Sequence, residues 1–258
     1  SLYPFCGLQH LPYGEPEEVT FNGANKIDPA FFGFVKCRAR TKDTNAMPKH
    51  AVLQNNRLTF PVFATWTELD IFSQEIDYDM YEYQFDTGLK FKKATFMAKF
   101  FADGFNRKAT AKAEGKPAMA QAWKIIINSG YGFWGLRISD RDGVEIFEAD
   151  SDAYLEYLNS EKMISMNEHD NGTMFCRVLK TLKVKDFNVG VAAAIASYSR
   201  LKLHQLLTDI RAVGGEVYYC DTDSVICNIN LNDHPDLKEE HQWDGDGSEL
   251  GSLKNECD

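Results

Sequence analysis

The most informative segment of this sequence is Tyr218-Tyr219-Cys220-Asp221-Thr222-Asp223-Ser224. It follows Gly214-Gly215, and apolar β-forming residues flank its polar tip on both sides, which predicts a hairpin. On an extended backbone, Asp221 and Asp223 would project to the same face of the strand. Two neighbouring carboxylates repel each other unless a cation lies between them, and oxygen ligands suit Mg²⁺. The alternative is a simple polar turn, because Asp and Ser are common turn residues.

The composition is that of an ordinary globular protein with a substantial core. The chain has 258 residues, of which 44% are hydrophobic and 26% are charged. No apolar run approaches the length of a membrane-spanning helix, and the first residues resemble neither a signal peptide nor a transit peptide. The absence of an initiator Met leads us to expect a chain cut from a longer protein. The six cysteines form no C-x-x-C pair, which argues against zinc and disulfides and favours an intracellular, reducing setting.

The charges are unevenly distributed along the chain. The net charge is −10, which argues against a general nucleic-acid binder. Nevertheless, nine basic residues and only two acidic ones lie between Lys90 and Lys124, whereas nine acidic and two basic residues lie between Leu231 and Asp258. This pattern fits a protein that binds polyanions on one face. For most of the lysines individually, a solvated helical face is the alternative.

The first third of the chain predicts a small α+β unit. Residues Ser1–Phe5 have the composition of the end of a strand, and Trp66–Phe72 predicts a short helix that Thr67 would cap. The segments with strand composition are Glu18–Phe21, Gly33–Ala39, Arg57–Phe63 and Tyr81–Phe85. No residue pattern in this region indicates a catalytic site.

Two helices follow and form a predicted helical hairpin. The first runs from about Ala94 to Glu114, and Gly115-Lys116-Pro117 supplies a terminal glycine and a proline suited to the first turn of the next helix. On one face of the second helix lie a cation, an amide and an aromatic ring, which are Lys124, Asn128 and Tyr131. A lysine can bind a phosphate and a tyrosine can stack on a base, while Gly130 and Gly132 leave room for close approach.

The remaining sequence predicts a second small unit, a long helix and an acidic loop. Hairpin turns are expected at Asp140–Gly143 and Asp170–Gly172. A helix is expected from Asn188 to Val213, followed by the acidic hairpin described above. The sequence after Ile229 is acidic and is predicted to form a solvated loop.

Three strings occur in a fixed order, and together they resemble motifs A, B and C of family B DNA polymerases. They are Ser1-Leu2-Tyr3-Pro4, Lys124-x-x-x-Asn128-Ser129-x-Tyr131-Gly132 and Tyr219-x-Asp221-Thr222-Asp223-Ser224. The long gap between the first two strings, with Gly88-Leu89-Lys90-Phe91 near its end, resembles the protein-primed branch found in phages, linear plasmids and related viruses. Leu250-Gly251 near the end of the sequence also resembles that branch.

This resemblance implies an α+β fold with a polymerase palm built on an antiparallel sheet, helical-hairpin fingers and two small insertions. The implied domains are the start of the palm (1–8), a first insertion (9–88), the fingers (89–134), a second insertion (135–186) and the rest of the palm (187–258), without a thumb. The insertions would grip a terminal priming protein and encircle DNA. The implied partners are a DNA primer-template and dNTPs, and no membrane.

The resemblance also implies roles for individual residues. Asp221 and Asp223 would bind two Mg²⁺ ions, which Mn²⁺ can replace, and Lys124 would hold the phosphates of the nucleotide with help from Lys112 or Lys108. Tyr3 would pack under the sugar and exclude a 2′-hydroxyl. The other implied nucleotide-binding residues are Leu2, Asn128 and Tyr131, and the implied DNA-binding residues are Ser129, Gly132 and Thr222.

The implied reaction is in-line attack of a primer 3′-hydroxyl on the α-phosphate of a dNTP, with two metal ions assisting. The family's motif A is Asp-x-x-Ser-Leu-Tyr-Pro, and this sequence begins at the Ser. We therefore expect the other metal carboxylate just outside this chain. The given sequence contains neither the family's exonuclease domain nor its Lys-x-Tyr motif and thumb, so we expect a fragment that is inactive or nearly so by itself.

Two other functions compete with this interpretation. A reverse transcriptase or RNA polymerase would also use a palm, but adjacent aspartates are expected there instead of Asp-Thr-Asp. A non-catalytic DNA- or protein-binding remnant of a polymerase is the alternative from a different class. The expected location is intracellular, either in host cytoplasm, with a virion, or in mitochondria for a linear plasmid.

Overall fold

The computed structural model describes residues 2–55, 57–60, 62–135, 142–160, 163–169, 171–179, 188–245 and 249–254. The chain forms two compact units, one of residues 1–134 with 188–258 and one of residues 135–187. The strands are β1 (Leu11–Ala24), β2 (Gly33–Thr41), β3 (Val52–Gln54), β4 (Arg57–Thr59), β5 (Thr67–Phe72), β6 (Tyr81–Ala94), β7 (Asp142–Glu148), β8 (Met163–Glu168), β9 (Thr173–Leu179), β10 (Val217–Asp221), β11 (Ser224–Cys227), β12 (Trp243–Gly245) and β13 (Leu253–Lys254). The α-helices are α1 (Leu2–Cys6), α2 (Ala98–Ala113), α3 (Pro117–Trp134), α4 (Asp152–Leu158), α5 (Val189–Ala212) and α6 (Pro235–Glu240).

An antiparallel four-stranded sheet is the largest element of the first unit. Its strand order is β1-β6-β2-β5, and β3 and β4 form a separate hairpin. Residues of β2 and β6 alternate between the interior and the surface, as expected for a sheet with one buried face. The buried face carries aromatic rings from β6, namely Tyr81, Tyr83 and Phe85. The predicted strands at Gly33–Ala39 and Tyr81–Phe85 are confirmed, and both extend further than the sequence indicated.

Two secondary-structure predictions in this unit are wrong. Thr67–Phe72 is the strand β5 and not a helix, because Leu69 and Ile71 alternate into the core and the segment pairs antiparallel with β2. Tertiary pairing here outweighs the helix-start signal of Thr67. The segment Leu2–Cys6 is the short helix α1 and not a strand end, since a proline is tolerated within the first turn of a helix.

The predicted helical hairpin is confirmed as α2 and α3. Gly115 adopts a φ of 69°, and its backbone N–H donates to Lys112 O at 3.2 Å, while Lys116 N–H donates to Ala111 O at 2.9 Å. This pairing is a Schellman end, which a glycine accommodates without steric cost. Pro117 then begins α3. Helix α2 begins later than predicted because β6 continues to Ala94.

Helix α5 holds the first unit together. Asn188 caps its N-terminus by accepting a hydrogen bond from Gly190 N–H at 3.0 Å. The first half of α5 is buried against α1, α3 and β1, and Val191, Ala194 and Ile195 belong to one apolar cluster with residues of all three elements. The small residues of this helix therefore permit the close packing that brings the N-terminal and C-terminal parts of the unit together.

The segment after β11 is more ordered than predicted. It contains the helix α6, which Pro235 begins, and a parallel pair of short strands, β12 and β13. The prediction of a solvated loop after Ile229 is therefore wrong for the described residues of this segment. Leu231 and Leu237 are buried, which supplies the apolar contacts that the acidic composition concealed.

The second unit is a three-stranded antiparallel sheet, of order β7-β9-β8, together with α4. Its core consists of Tyr154, Met174, Cys176 and Val178. Of the two predicted turns, the first lies largely outside the described residues. At the second, Asn171 and Gly172 lead into β9, and Gly172 has a φ of 76°. None of the helices in the described ranges is both long enough and apolar enough to cross a membrane.

Candidate functional site

The acidic segment forms the predicted hairpin. Strands β10 and β11 pair antiparallel up to Asp221 and Ser224, so Thr222 and Asp223 are the two residues of the turn. The side chains of Asp221 and Asp223 are exposed. The expectation that both project from one extended strand is wrong, because Asp223 lies in the turn. A two-residue hairpin connection requires two corner residues, and the length of the segment leaves only these.

Thr222 has an unusual backbone conformation between the two aspartates. Its φ is 48°, a region that a β-branched residue rarely adopts, at a cost of about 1–2 kcal/mol. The Thr222 hydroxyl donates to Asp221 Oδ1 at 3.0 Å. Strain of this kind persists where the surrounding structure imposes it, and it occurs frequently at functional sites.

The carboxylates of this hairpin fit a divalent cation. Among the described residues, no side chain donates a hydrogen bond to Asp223 or pairs with it, and Asp221 receives only the Thr222 hydroxyl. Hard oxygen ligands with free lone pairs are what Mg²⁺ prefers. Asp223 also lines a pocket of about 50 Å³ together with Leu2, Lys202 and His241.

A second acidic group lies nearby in the same unit. Within the described part of the chain, the potential ligand atoms of Asp209, Glu240 and His241 lie within 4.8 Å of one another. Asp209 already accepts hydrogen bonds from the Gln205 amide at 2.9 and 3.0 Å and pairs with His241 Nε2 at 2.9 Å. Protein donors thus satisfy this carboxylate, and the hairpin aspartates are better suited to hold a metal.

Two tyrosines from different motifs stack on each other. The rings of Tyr3 on α1 and Tyr131 on α3 have centroids 4.5 Å apart and planes 6° apart. The pKa of Tyr3 is raised, first by burial and then by the negative charges of Tyr131 and Asp223. The three strings that are distant in sequence therefore meet at one place, with an aromatic wall beside the acidic hairpin.

Three lysines gather on the helical hairpin. The pKa of Lys108 is lowered, first by burial and then by the charges of Lys124 and Lys112. Lys108 and Lys112 are on α2, and Lys124 is on α3, which packs against α2. Lys112 and Lys124 are exposed. Both candidates for the second phosphate-binding lysine thus lie close to Lys124, and three close cations favour a multiply charged anion.

The other predicted residues have simpler surroundings. Leu2 is half-buried at the pocket beside Asp223. Asn128, Ser129 and Gly132 are exposed on α3, and a Cβ on Gly132 would meet nothing within 4 Å. The predicted room for close approach at Gly130 is taken by the Phe100 ring, because a Cβ on Gly130 would lie only 2.5 Å from that ring. Gly130 thus permits α2 and α3 to approach each other.

Sequence reasoning missed one charged pair close to this site. Glu75 and Arg200 form an ion pair at 2.5 Å although they are 125 residues apart. Lys202, which lines the pocket with Asp223, was missed as well. No local spacing marks these residues, because only the packing of α5 on the preceding elements brings them together.

Comparison with known proteins identifies the family. Residues 1–212 match the family described as "DNA polymerase type B, organellar and viral". A probable DNA polymerase of Podospora anserina is 27% identical over 288 residues, which cover 99% of this chain and 22% of that protein. The DNA polymerase of Bacillus phage phi29 is 24% identical over 238 residues, which cover 87% of this chain and 36% of that protein. This chain therefore spans about a fifth to a third of the length of these relatives.

Solved structures show the same fold. A crystal structure of phi29 DNA polymerase has a TM-score of 0.65 and 19% identity, covering 98% of this chain and 40% of that chain. The ternary complex of phi29 DNA polymerase with primer-template DNA and incoming nucleotide substrates has a TM-score of 0.64 and 20% identity, covering 97% of this chain and 40% of that chain. The predicted α+β polymerase fold and the resemblance to the phage branch of family B are thereby confirmed. Since the family match covers most of its residues, this chain belongs to the type B DNA polymerases of organelles and viruses.

Proposed function

We propose that this chain forms the nucleotide-binding and metal-binding part of a DNA polymerase that extends a primer 3′-hydroxyl with dNTPs on a DNA template. The observation that carries the proposal is the convergence of the three motifs. Tyr3 stacks on Tyr131 at 4.5 Å, and the charge of Asp223 acts on Tyr3. An aromatic wall beside two exposed carboxylates, with a lysine cluster on the adjoining helices, suits a substrate that has a flat base and a triphosphate.

Asp221 and Asp223 are the proposed metal ligands. When bound, two Mg²⁺ ions, or Mn²⁺ in their place, would stabilise the attacking and leaving oxygens of an in-line displacement. The chain presents the carboxylate oxygens at a tight turn. In this turn, the backbone of Thr222 has an unusual positive φ. The Thr222 hydroxyl bonded to Asp221 Oδ1 limits the rotation of that carboxylate.

The lysine cluster is the proposed binding site for the triphosphate. Lys124 is assigned the principal contact, with Lys112 and Lys108 assisting. The lowered pKa of Lys108 reflects burial and the repulsion of the two other cations. A bound polyanion relieves this repulsion. The relief of the repulsion between the three lysines therefore contributes to the free energy of binding.

The aromatic wall is the proposed site for the sugar and the base. Tyr3 packs under the sugar and excludes a 2′-hydroxyl, and Tyr131 and Asn128 line the pocket of the forming base pair. Leu2, which lines the pocket beside Asp223, is assigned to the same nucleotide site. The proposed contacts to the DNA strands come from Ser129, Gly132 and Thr222.

The proposed partners of the complete protein are a DNA primer-template, dNTPs and a terminal priming protein. In this assignment, residues 1–8 and 187–258 are palm, 89–134 are fingers, and 9–88 and 135–186 are insertions that contact the priming protein and DNA. A location in host cytoplasm, in a virion or in mitochondria goes with a replicating phage, virus or linear plasmid.

Primer extension by the complete protein tests this function. We expect Mg²⁺-dependent incorporation of dNTPs in preference to rNTPs, and we expect Tyr3→Val to relax that preference without abolishing extension. Preferential incorporation of rNTPs by the unaltered protein would indicate an RNA polymerase. DNA binding without any extension would favour the non-catalytic remnant and would overturn the proposal.

A further inference from the structure

Glu75 is a buried carboxylate in the segment between β5 and β6, within the range 9–88 that is assigned above to the first insertion. Its side chain is only 5% exposed, and its Oε1 accepts hydrogen bonds from Arg200 Nε at 3.2 Å and from Arg200 Nη2 at 2.5 Å. Burying a carboxylate is costly unless a cation compensates it. Arg200 is therefore held at a fixed position by a residue far away in sequence.

Arg200 is tethered along only one edge of its guanidinium. Its Nη2 also donates to Ser197 Oγ at 2.8 Å, and Ser197 is itself buried. A guanidinium has five N–H donors, and within the described chain those of Nη1 have no partner. The side chain is 45% exposed. Nε and Nη2 are thus anchored. The side of the guanidinium that carries Nη1, which we call the free edge, remains available to an anion from solution.

Arg200 lies beside the candidate nucleotide site. Arg200 is on α5, which packs against α1, and the neighbouring Ser199 donates to Cys6 Sγ of α1 at 3.4 Å. The positive charge of Arg200 acts on the Tyr3 hydroxyl, lowering the pKa that burial raises. The lysine cluster is on α2 and α3, so Arg200 is a separate cation on a separate element. If the lysines take the triphosphate, the other polyanion at this site is the phosphodiester backbone of DNA.

We propose that Glu75 is a positioning residue that orients Arg200 so that its free guanidinium edge contacts a backbone phosphate of DNA beside Tyr3. This inference rests on the proposed function. It assigns to the first insertion a direct effect on the polymerase site, since the carboxylate comes from that segment and the guanidinium from α5. Because the guanidinium is planar and rigid, an ion pair that fixes Nε and Nη2 also fixes the direction of Nη1.

The test measures the Kd of the complete protein for a primer-template duplex at several salt concentrations without dNTPs. Arg200→Ala should raise Kd about tenfold and make the salt dependence shallower by about one unit of slope, as expected for one lost phosphate contact. Glu75→Gln leaves the positive charge of Arg200 in place but removes the ion pair that orients its guanidinium. We expect Kd to rise about threefold to tenfold. In the double variant, Glu75→Gln should add nothing to the effect of Arg200→Ala.

Glu82→Gln is the matched control, because it makes the same change in net charge and removes the partner of the exposed Arg40. We expect its Kd to stay equal or to fall slightly. If Glu75→Gln behaves like Glu82→Gln, or if its effect multiplies with that of Arg200→Ala, the proposal is overturned. Should Glu75→Gln fail to fold, Arg200→Lys and Ser197→Ala carry the test. Wild-type Kd values in both of these would refute it.

Primer extension by the unaltered protein separates the role of Glu75 and Arg200 from the proposed function. If the unaltered protein extends primers while Glu75→Gln, Arg200→Lys and Arg200→Ala all bind DNA normally, only the role of Glu75 and Arg200 is refuted. If the unaltered protein neither binds nor extends a primer-template, the proposed function and this inference are both refuted.

Discussion

The contact between α2 and α3 sets the spacing of the lysine cluster, and Gly104→Ala perturbs it directly. A Cβ on Gly104 would lie 2.3 Å from Ile127 Cγ2, whereas ordinary contacts begin at 3.4 Å. Ile127 is fully buried, and its methyl group is attached directly to the branched Cβ. The helices must therefore separate by about 1 Å to accept the added methyl group.

The expected energy follows from two opposing effects. Overpacking of this kind costs about 1–3 kcal/mol, while replacing glycine by alanine inside a helix gains up to about 1 kcal/mol. Gly132→Ala is the matched control, because it gains the same helix propensity on α3 and meets nothing within 4 Å. The difference between the two variants should therefore be about 1–3 kcal/mol, with Gly104→Ala the less stable.

Hydrogen exchange measures this difference locally. The opening free energies of the amides in α2 and α3 should fall in Gly104→Ala relative to Gly132→Ala, while those of the sheet should remain unchanged. The shifted lysines should also raise KM for dNTPs, because Lys108 and Lys112 move relative to Lys124. Equal protection of the helical amides in the two variants would show that the packing does not constrain the helical hairpin as described.

Three further predictions concern single residues. Lys124→Gln should lower kcat/KM for dNTPs about tenfold to a hundredfold in primer extension, since one charge-assisted contact is lost, while Lys116→Gln should change it less than twofold. Thr222→Gly relieves the strained φ of 48° but removes the hydroxyl bonded to Asp221. In primer extension kcat should fall, while the stability of the hairpin should change by less than about 1 kcal/mol. A large loss of stability would show that the positive φ of Thr222 is not strained. Burial lowers the pKa of His50 to about 3, whereas the imidazole of the unfolded chain has a pKa of 6.5. Below pH 6.5 the unfolded state therefore binds a proton that the folded state does not bind. The free energy of unfolding should therefore drop by about 2 kcal/mol between pH 8 and pH 5 in denaturant titrations, and His50→Gln should remove most of this drop.

The sequence predicted the elements whose signals are local. Gly115 and Pro117 mark the junction of α2 and α3 because a left-handed glycine and a first-turn proline each have a backbone requirement that few other residues meet. The acidic hairpin was equally predictable, because a short polar tip between β-forming runs leaves one way to connect two strands.

Long-range packing determined what the sequence did not reveal. Thr67–Phe72 carries a helix-start signal, yet the segment forms a strand since β2 offers it a pairing partner and a buried face. The stacking of Tyr3 on Tyr131 depends on the packing of α1 against α3, and the pairing of Glu75 with Arg200 depends on the packing of α5 against the segment after β5. No spacing in the sequence encodes either contact. The resemblance to family B polymerases supplied the expectation that the tyrosines share a site, and the geometry supplied their contact.

Primer extension by the complete protein carrying Asp223→Asn tests the acidic hairpin as the metal site, with Asp209→Asn as the control from the other acidic group. Because Asp223 is proposed to hold the catalytic ions, and protein donors already satisfy Asp209, we expect Asp223→Asn to abolish extension while the Kd for primer-template remains within about threefold of wild type. Asp209→Asn should retain extension. Normal extension by Asp223→Asn, or its loss in Asp209→Asn alone, would contradict the assignment of the acidic hairpin as the metal site.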